Sequence, residues 1–314
     1  MNLHHDSQLF SQTLRAASQH LMINLGFVEK DYWITLLLRR LSGSKYSDEA
    51  VFKGGTSLSK GYRLIDRFSE DVDLAIVNTT HKTGNEIKTI IRHLEKEITG
   101  ELTEFQEEGI TSKGSRYRKS LFRYPSIQKN DPNNRLIVEI NSFANPIPFQ
   151  KRIIQSMLFD FLDQTNNQLF IDEHLLHPFE INILNKEQTL LEKLVSLIRF
   201  SLDRDPVPSL SSKIRHFYDL YFLAKDDDCM QCIQSETFKQ QFLTLLEHDK
   251  MMFDEPTGWG NRAVSESPLI HNFDSLWSKL KDQYQSELSA LAYRPIPDEK
   301  DVAQTFIRLS QRIV

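Results

Sequence analysis

The sequence contains little cysteine and no long apolar run. Among its 314 residues there are only 2 cysteines, which excludes a framework of several disulfides and fits a reducing compartment. No apolar run approaches the roughly 18–20 residues of a membrane-spanning helix. Residues 1–6 lack the basic and apolar regions of a secretory signal. We therefore expect a cytoplasmic protein that does not associate with membranes.

Charge of neither sign dominates the chain. Charged residues make up 26% and hydrophobic residues 39% of the sequence, with a net charge of −5. This composition is typical of a globular protein, and the length allows two hydrophobic cores. The negative balance argues against non-specific coating of nucleic acid but allows a local basic surface.

Hydrophobic spacing predicts a change of structure along the chain. We expect an α+β fold, with an N-terminal lobe over residues 1–150 that contains a mixed sheet and a mainly helical lobe over residues 151–314. Prolines at 146 and 148 mark this change, and prolines at 206, 208, 295 and 297 interrupt the second lobe. The predicted strands are 50–52, 71–77, 117–123 and 136–142, and the predicted helices include the first forty residues, 57–64, 87–98, 186–202, 211–225, 237–246, 273–291 and 298–313.

Paired acids on a predicted strand are the first candidates for chemistry. In Asp71-Val72-Asp73 both carboxylates lie on one face of an extended chain, because successive side chains alternate. Such a pair can bind a divalent ion or flank two, and Mg²⁺ prefers oxygen ligands completed by substrate phosphates. Glu139 would join this face, as a metal ligand or a base, if its strand is a neighbour. The alternative for all three acids is that they are solvated.

A glycine turn precedes this strand. Gly54 and Gly55 allow the backbone to approach a phosphate closely, although their spacing differs from that of a Walker P-loop. A Gly-Gly pair alone marks only a turn, but beside paired acids it indicates phosphoryl or nucleotidyl transfer. The candidate nucleotide-binding residues are Lys53, Gly54, Gly55, Thr56, Ser57 and Ser69.

Two charged residues lie among apolar neighbours in predicted helices. Lys193 shares a helix face with leucines, and Asp219 lies in a very aromatic helix. Each needs a partner or a ligand, because burying an unpaired charge is costly. The alternatives are a lysine that extends to solvent and an aspartate paired with Arg215, one turn earlier.

A basic and aromatic segment spans residues 111–123. Cations interleaved with aromatic rings suit a nucleic-acid backbone and stacked bases, although a solvated hairpin has the same composition. The candidate RNA-binding residues are Arg116, Tyr117, Arg118 and Lys119. Cys229 and Cys232 lack a second ligand pair at zinc spacing, which argues against a metal site there.

Four segments, in order, resemble the motifs of AbiEii/AbiGii-type nucleotidyltransferase toxins, which are related to the MenT toxins and belong to the DNA polymerase β-like superfamily. The first two motifs match residues 52–58 and 67–74, and residues 28–33 resemble the N-terminal helix of the family. The third, a helix lysine, matches Lys193, and the fourth, an aspartate after a basic residue, matches Asp219. His216 departs from the fourth motif, which often begins Arg-Asp.

The resemblance implies a polymerase β-like lobe, a nucleoside triphosphate donor, Mg²⁺ and a cognate antitoxin. It implies that Asp71 and Asp73 hold the metal, that the glycine turn and Ser69 contact phosphates, that Lys193 contacts the triphosphate, and that Asp219 positions substrate or acts as base. The leading hypothesis is transfer of a nucleoside monophosphate to RNA, at the 3′ end of tRNA. The alternatives are transfer to a protein or small-molecule hydroxyl, and a degenerate fold that only binds a nucleotide or a partner.

Overall fold

The predicted strands pair into one mixed sheet. The computed structural model describes residues 2–69, 71–77, 79–128, 134–144 and 146–314, so Glu70 of the second motif lies outside the described residues. The four predicted strands are confirmed and become β1, β2, β5 and β6. The sheet has eight strands in the described residues, which are β1 (Ala50–Lys53), β2 (Asp71–Ile76), β3 (Thr103–Phe105), β4 (Ser112–Lys113), β5 (Tyr117–Arg123), β6 (Arg135–Asn141), β7 (Phe149–Ile154) and β8 (Phe179–Leu184).

Strand order places the acidic strand at the centre of the sheet. The order is β3-β5-β6-β2-β1-β8-β7, with β4 paired to β5. Strand β2 runs antiparallel to β1 and parallel to β6, and β1 runs parallel to β8. Alternation in β2 buries Val72, Leu74 and Ile76 in the main hydrophobic core and leaves Asp71 and Asp73 on the opposite face. One face of the sheet therefore packs into the core while the other presents carboxylates.

Helices cover the apolar face of this sheet. The isoleucines and leucine of α4 recur at helical spacing and are buried, and α4 packs on β5, β6 and α2. Its first turn has a capping box between Thr83 and Glu86. The helices of this unit are α1 (Ser7–Leu21), α2 (Leu25–Ser42), α3 (Gly54–Lys60), α4 (Gly84–Thr99), α5 (Met157–Gln164) and α6 (Gln168–His174).

The second unit is helical throughout its described secondary structure apart from an isolated bridge between Arg67 and Ala292. Its aromatic core includes Phe217, Phe273, Trp277 and Phe306, whose rings contact one another. The helices are α7 (Lys186–Ser201), α8 (Pro206–Ser211), α9 (Ile214–Leu223), α10 (Asp227–Gln234), α11 (Phe238–Met252), α12 (Pro268–His271), α13 (Phe273–Leu291) and α14 (Glu299–Ser310).

The units divide the chain at a different place from the sequence-based division at residue 150. One unit comprises Met1–Tyr62 and Phe68–Leu184, and the other comprises Arg63–Arg67 and Asn185–Val314. Residues 151–184 thus contribute β8 and most of β7 to the sheet, although the sequence indicated a mainly helical stretch there. The edge strand β7 is largely exposed and lacks a buried alternating face, so its hydrophobic pattern does not predict a strand. The assignment of two functional domains to residues 1–150 and 151–314 stays a prediction.

In the part of the chain that the structure describes, no helix combines sufficient length with sufficient apolar character to cross a bilayer. Helix α2 is long and buried along most of its length, yet it carries the buried charges Glu29, Lys30 and Asp31.

Candidate active site

Strand register brings three carboxylates to the face of the sheet opposite the main hydrophobic core. Asp73 of β2 lies directly opposite Glu139 of β6, and Asp71 lies two residues before Asp73 on the same face. On the other side of β2, Lys53 of β1 lies opposite Asp73. Strands β2 and β6 are therefore neighbours, a point that the sequence left open, and Glu139 lies beside the paired acids.

The neighbouring acids raise the proton affinity of Asp73. Burial, together with the negative charges of Glu139 and Asp71, raises the pKa of Asp73 well above its usual value, while Lys53 and Lys119 oppose this shift. Glu139 is itself held by Lys119, whose Nζ lies 3.6 Å from Oε2. A crowded acidic site of this kind favours a bound cation, because the cation offsets the repulsion.

The acidic face fits a metal that uses few protein ligands. Among the described residues, His4, His5 and Glu101 form the only group of three His, Cys, Asp or Glu side chains whose ligand atoms all lie within 4.8 Å of one another. The carboxylate oxygens of Asp71, Asp73 and Glu139 are therefore spaced more widely than this. Mg²⁺ is commonly bound by one or two carboxylates and completed by water and substrate phosphates. Asp71 and Asp73 match that donor set, whereas Glu139 has Lys119 as a competing partner.

The glycine turn lies against the acidic pair. Gly54 has φ +79°, and a Cβ at this position would lie 2.2 Å from Oδ2 of Asp73. Only glycine combines this backbone conformation with the close approach. The turn leads directly into α3, which begins at Gly54 rather than near Ser57 as the sequence indicated.

The hydroxyl groups of the turn form internal hydrogen bonds. Thr56 donates through Oγ1 to the carbonyl oxygen of Asp71 at 2.6 Å, and Ser57 donates through Oγ to the carbonyl of Gly54 at 2.8 Å. Both residues are buried. The hydroxyl of Thr56 holds the turn on β2, and that of Ser57 closes the turn on itself. The backbone amides and Lys53 are therefore the candidate phosphate donors of the turn. Ser69 is also buried, in the connection two residues before β2.

The early segment that resembles the family supports this turn. Asp31 in α2 forms a buried ion pair with Lys60 at the end of α3, and its other carboxylate oxygen accepts from the amide of Met157 at 2.7 Å. Glu29 accepts from the amide of Ile127 at 2.7 Å. Asp31 thus anchors the end of α3, whereas Glu29 holds the segment after β5, and both buried carboxylates have the partners that burial requires.

The second unit contains a buried cluster around Asp219. Arg67 donates through Nε to Oδ1 at 2.7 Å and through Nη2 to Oδ2 at 2.6 Å, and Nζ of Lys193 lies 2.7 Å from Oδ2. Arg67, Asp219 and Lys193 are 3%, 0% and 6% exposed. Lys193 thus does not extend to solvent. Arg215 is not the partner of Asp219, because its Nε donates to Glu287 at 2.7 Å.

The charges around Asp219 decide what its carboxylate can do. Burial alone would raise the pKa of Asp219, but Arg67 and Lys193 overcome this effect and hold the pKa below its usual range. A carboxylate held between two cations is a weak base. Burial, with the charge of Lys193, also holds the pKa of His216 well below its usual value, so this imidazole is neutral at pH 7.

The family model of the nucleotidyl transferase AbiEii toxin, of type IV toxin–antitoxin systems, matches residues 36–305. The chain belongs to this AbiEii family. It is therefore a nucleotidyltransferase of a toxin–antitoxin family, as the motifs predicted. No curated protein gives a significant match.

A solved structure shows the same fold as this AbiEii protein. MenT4, a nucleotidyltransferase toxin from Mycobacterium tuberculosis H37Rv, matches with a TM-score of 0.55 and 18% identity. The match covers 96% of this chain and 92% of MenT4. At this identity the likeness concerns the fold, and it confirms the α+β class expected from the sequence.

The basic segment of this AbiEii protein is divided between two faces of the sheet. Lys119 and Tyr117 lie on the acidic face, where burial, the charge of Glu139 and a hydrogen bond to it raise the pKa of Tyr117. Arg118 points to the opposite face, where it pairs with the buried Glu95 of α4. Arg116 is exposed. The four residues therefore do not form one RNA-binding surface, and Arg118 has a structural partner.

Sequence reasoning missed Arg67. Its side chain completes the cluster around Asp219, although 152 positions separate the two residues. The available signal was its place at the start of the second motif, four residues before Asp71, together with the requirement that a buried aspartate have a cationic partner. In the sequence Arg215 also supplied such a cation, because it lies one helical turn before Asp219.

Proposed function

We propose that this AbiEii protein transfers a nucleoside monophosphate from a nucleoside triphosphate to an RNA acceptor, with the 3′ end of tRNA as the first candidate. The observation that carries the proposal is the register that places Asp71, Asp73 and Glu139 on one face, with the glycine turn against Asp73. Crowded carboxylates beside a turn that can approach phosphate suit metal-assisted transfer better than simple nucleotide binding.

The reaction forms a bond between an acceptor hydroxyl oxygen and the α-phosphorus and breaks the bond to the β-phosphate, so that pyrophosphate leaves. The proton of the acceptor hydroxyl passes to a base, for which Glu139 is the candidate on the acidic face. Asp71 and Asp73 would hold Mg²⁺, which offsets negative charge on the leaving group when bound. Backbone amides of Gly54 and Gly55 orient the phosphates, and Lys53 adds a positive charge beside Asp73. Lys193 contacts the triphosphate.

Asp219 takes a positioning role rather than that of a base. Both of its oxygens already accept from Arg67, and Lys193 pairs with one of them. Because its pKa is held below the usual range, it accepts a proton poorly. Its contribution is to hold Lys193.

A degenerate fold that no longer catalyses transfer would be expected to have lost its metal ligands. Here the three acids are present on one face of the sheet, which argues against that alternative. RNA is favoured as the acceptor because Lys119 and Tyr117 lie on the same face as the acids. We further propose that the protein acts in the cytoplasm and that a cognate antitoxin limits its activity.

The test uses purified protein, Mg²⁺, total cellular RNA, total cellular protein and each of the four α-³²P nucleoside triphosphates in turn. We expect label in RNA of tRNA size with one preferred nucleotide, and none with Asp71→Asn. Label in protein would replace RNA with a protein acceptor. No label in any acceptor with any nucleotide would contradict the proposal. Co-expression with the neighbouring gene product tests the antitoxin, which should restore growth.

A further inference from the structure

Arg67 and Lys193 share the single negative charge of Asp219. Arg67 occupies both carboxylate oxygens through a bidentate contact, and Lys193 shares Oδ2 with it. A planar guanidinium fits this geometry, whereas an ammonium acts as a point charge. The charge of Asp219 is therefore divided between two cations, and the ammonium of Lys193 is only partly neutralised.

The backbone around Arg67 is fixed independently of its side chain. Arg67 forms an isolated antiparallel bridge with Ala292, just after α13. The amide of Tyr293 donates to the carbonyl of Asp66 at 3.0 Å, and its hydroxyl donates to the carbonyl of Ile65 at 3.3 Å. The C-terminal residues that match no motif thus hold the segment that carries Arg67.

The other groups near the cluster do not replace Arg67. His216, on the same helix as Asp219, is neutral at pH 7, and its Nδ1 has no hydrogen-bond partner among the described residues. Lys213 adds positive charge nearby and contributes to keeping that imidazole neutral. Within this cluster the bidentate contact to Asp219 comes from Arg67.

We propose that Arg67 is a positioning residue for Lys193, which it leaves oriented and incompletely neutralised for contact with a triphosphate. The proposal rests on the proposed function, in which Lys193 contacts the triphosphate of the donor. Without Arg67, Asp219 would pair with Lys193 alone and cancel its charge. Arg67→Lys would keep the charge but not the bidentate geometry.

The experiment compares Arg67→Met, Arg67→Lys and a control, Arg215→Met. Arg215 lies on the same helix as Asp219 and forms its own ion pair with Glu287, outside the cluster. Isothermal titration with inorganic tripolyphosphate and Mg²⁺ gives Kd without chemistry, and steady-state labelling of RNA gives KM and kcat. Thermal unfolding gives the Tm of each variant and shows whether it is folded.

We expect Arg67→Met to weaken tripolyphosphate binding at least about tenfold and to raise KM for the nucleotide in the same proportion. Arg67→Lys should recover much of the affinity but retain a lowered kcat, because the ammonium of Lys193 is held less rigidly. Arg215→Met should match the wild type. A merely structural role for Arg67 would lower the Tm without separating KM from kcat in this way.

Two results would overturn the proposal. One is a folded Arg67→Met protein that binds tripolyphosphate as tightly as the wild type. The other, which decides the matter if Arg67→Met does not fold, is Arg67→Lys with wild-type KM and kcat, or, if no acceptor is labelled, a folded Arg67→Gln protein with wild-type Kd. If no protein labels any acceptor, yet Arg67→Met loses tripolyphosphate binding, the proposed function fails and the role of Arg67 stands.

Discussion

Gly54 and Asp73 are in such close contact that a side chain at Gly54 would collide with the carboxylate. A Cβ built on Gly54 lies 2.2 Å from Oδ2 of Asp73, and the residue adopts φ +79°. The turn and the acid can approach this closely only because residue 54 has no side chain. This contact brings the first two motifs of the sequence together, since Gly54 belongs to the first and Asp73 to the second.

We predict that Gly54→Ala strongly impairs nucleotidyl transfer and destabilises the protein. The left-handed backbone alone costs about 1–3 kcal/mol for a residue with a Cβ, and the collision displaces Asp73. The measurements are RNA labelling and urea unfolding. Gly84→Ala is the matched control, since no atom of the described residues lies within 4 Å of a Cβ there. Equal activity of Gly54→Ala and Gly84→Ala would contradict the contact.

Asp71→Asn and Asp73→Asn should each reduce transfer about a thousandfold, because metal-assisted charge stabilisation contributes several kcal/mol and each 1.36 kcal/mol is a factor of ten. In EDTA at pH 7.5, Asp73→Asn should also raise the Tm, since it removes a carboxylate that Glu139 and Asp71 disfavour. The exposed Asp48 provides Asp48→Asn as a control with little effect on either quantity. A lowered Tm for Asp73→Asn would show that the acids do not repel one another.

Charge reversal separates the two faces of the basic segment. Arg118→Glu should cost about 3 kcal/mol of unfolding free energy, because it leaves Glu95 buried without its partner and adds a like charge. Arg116→Glu should leave stability unchanged and weaken RNA binding, since Arg116 is exposed. Urea unfolding and filter binding of labelled RNA distinguish these effects. Unchanged RNA binding by Arg116→Glu would remove Arg116 from the RNA-binding residues.

His216 should make stability depend on pH below neutrality. Its folded-state pKa lies well below 6.5, so the unfolded state binds more protons between those two values, and unfolding free energy falls as pH drops below about 6.5. His216→Gln should have a flatter profile from pH 7.5 to 5.5. The exposed His81 provides His81→Gln as the control, with the wild-type profile. Parallel profiles for wild type and His216→Gln would contradict the burial of a neutral imidazole.

Local periodicity explains which parts of the fold were predictable. Alternation around Asp71 and Asp73 specifies both the strand and the face on which the acids lie, because side chains in a strand alternate. Helical spacing predicted α13 with its observed limits, Phe273–Leu291. Strand β7 was not predictable in this way, since an exposed edge strand needs no buried alternating face.

The sequence by itself determined the strand and the face that carry Asp71 and Asp73, and the motif order that marks the family. Only the tertiary structure decided that Glu139 lies beside Asp73, that Arg118 pairs with Glu95 and that Arg67, rather than Arg215, holds Asp219. The physical reason is that periodicity records which side of an element is buried, whereas partners distant in sequence are chosen by strand register and packing. For Asp219 that choice affects the chemistry, because two cations hold the pKa of its carboxylate below the usual range and make it a weak base.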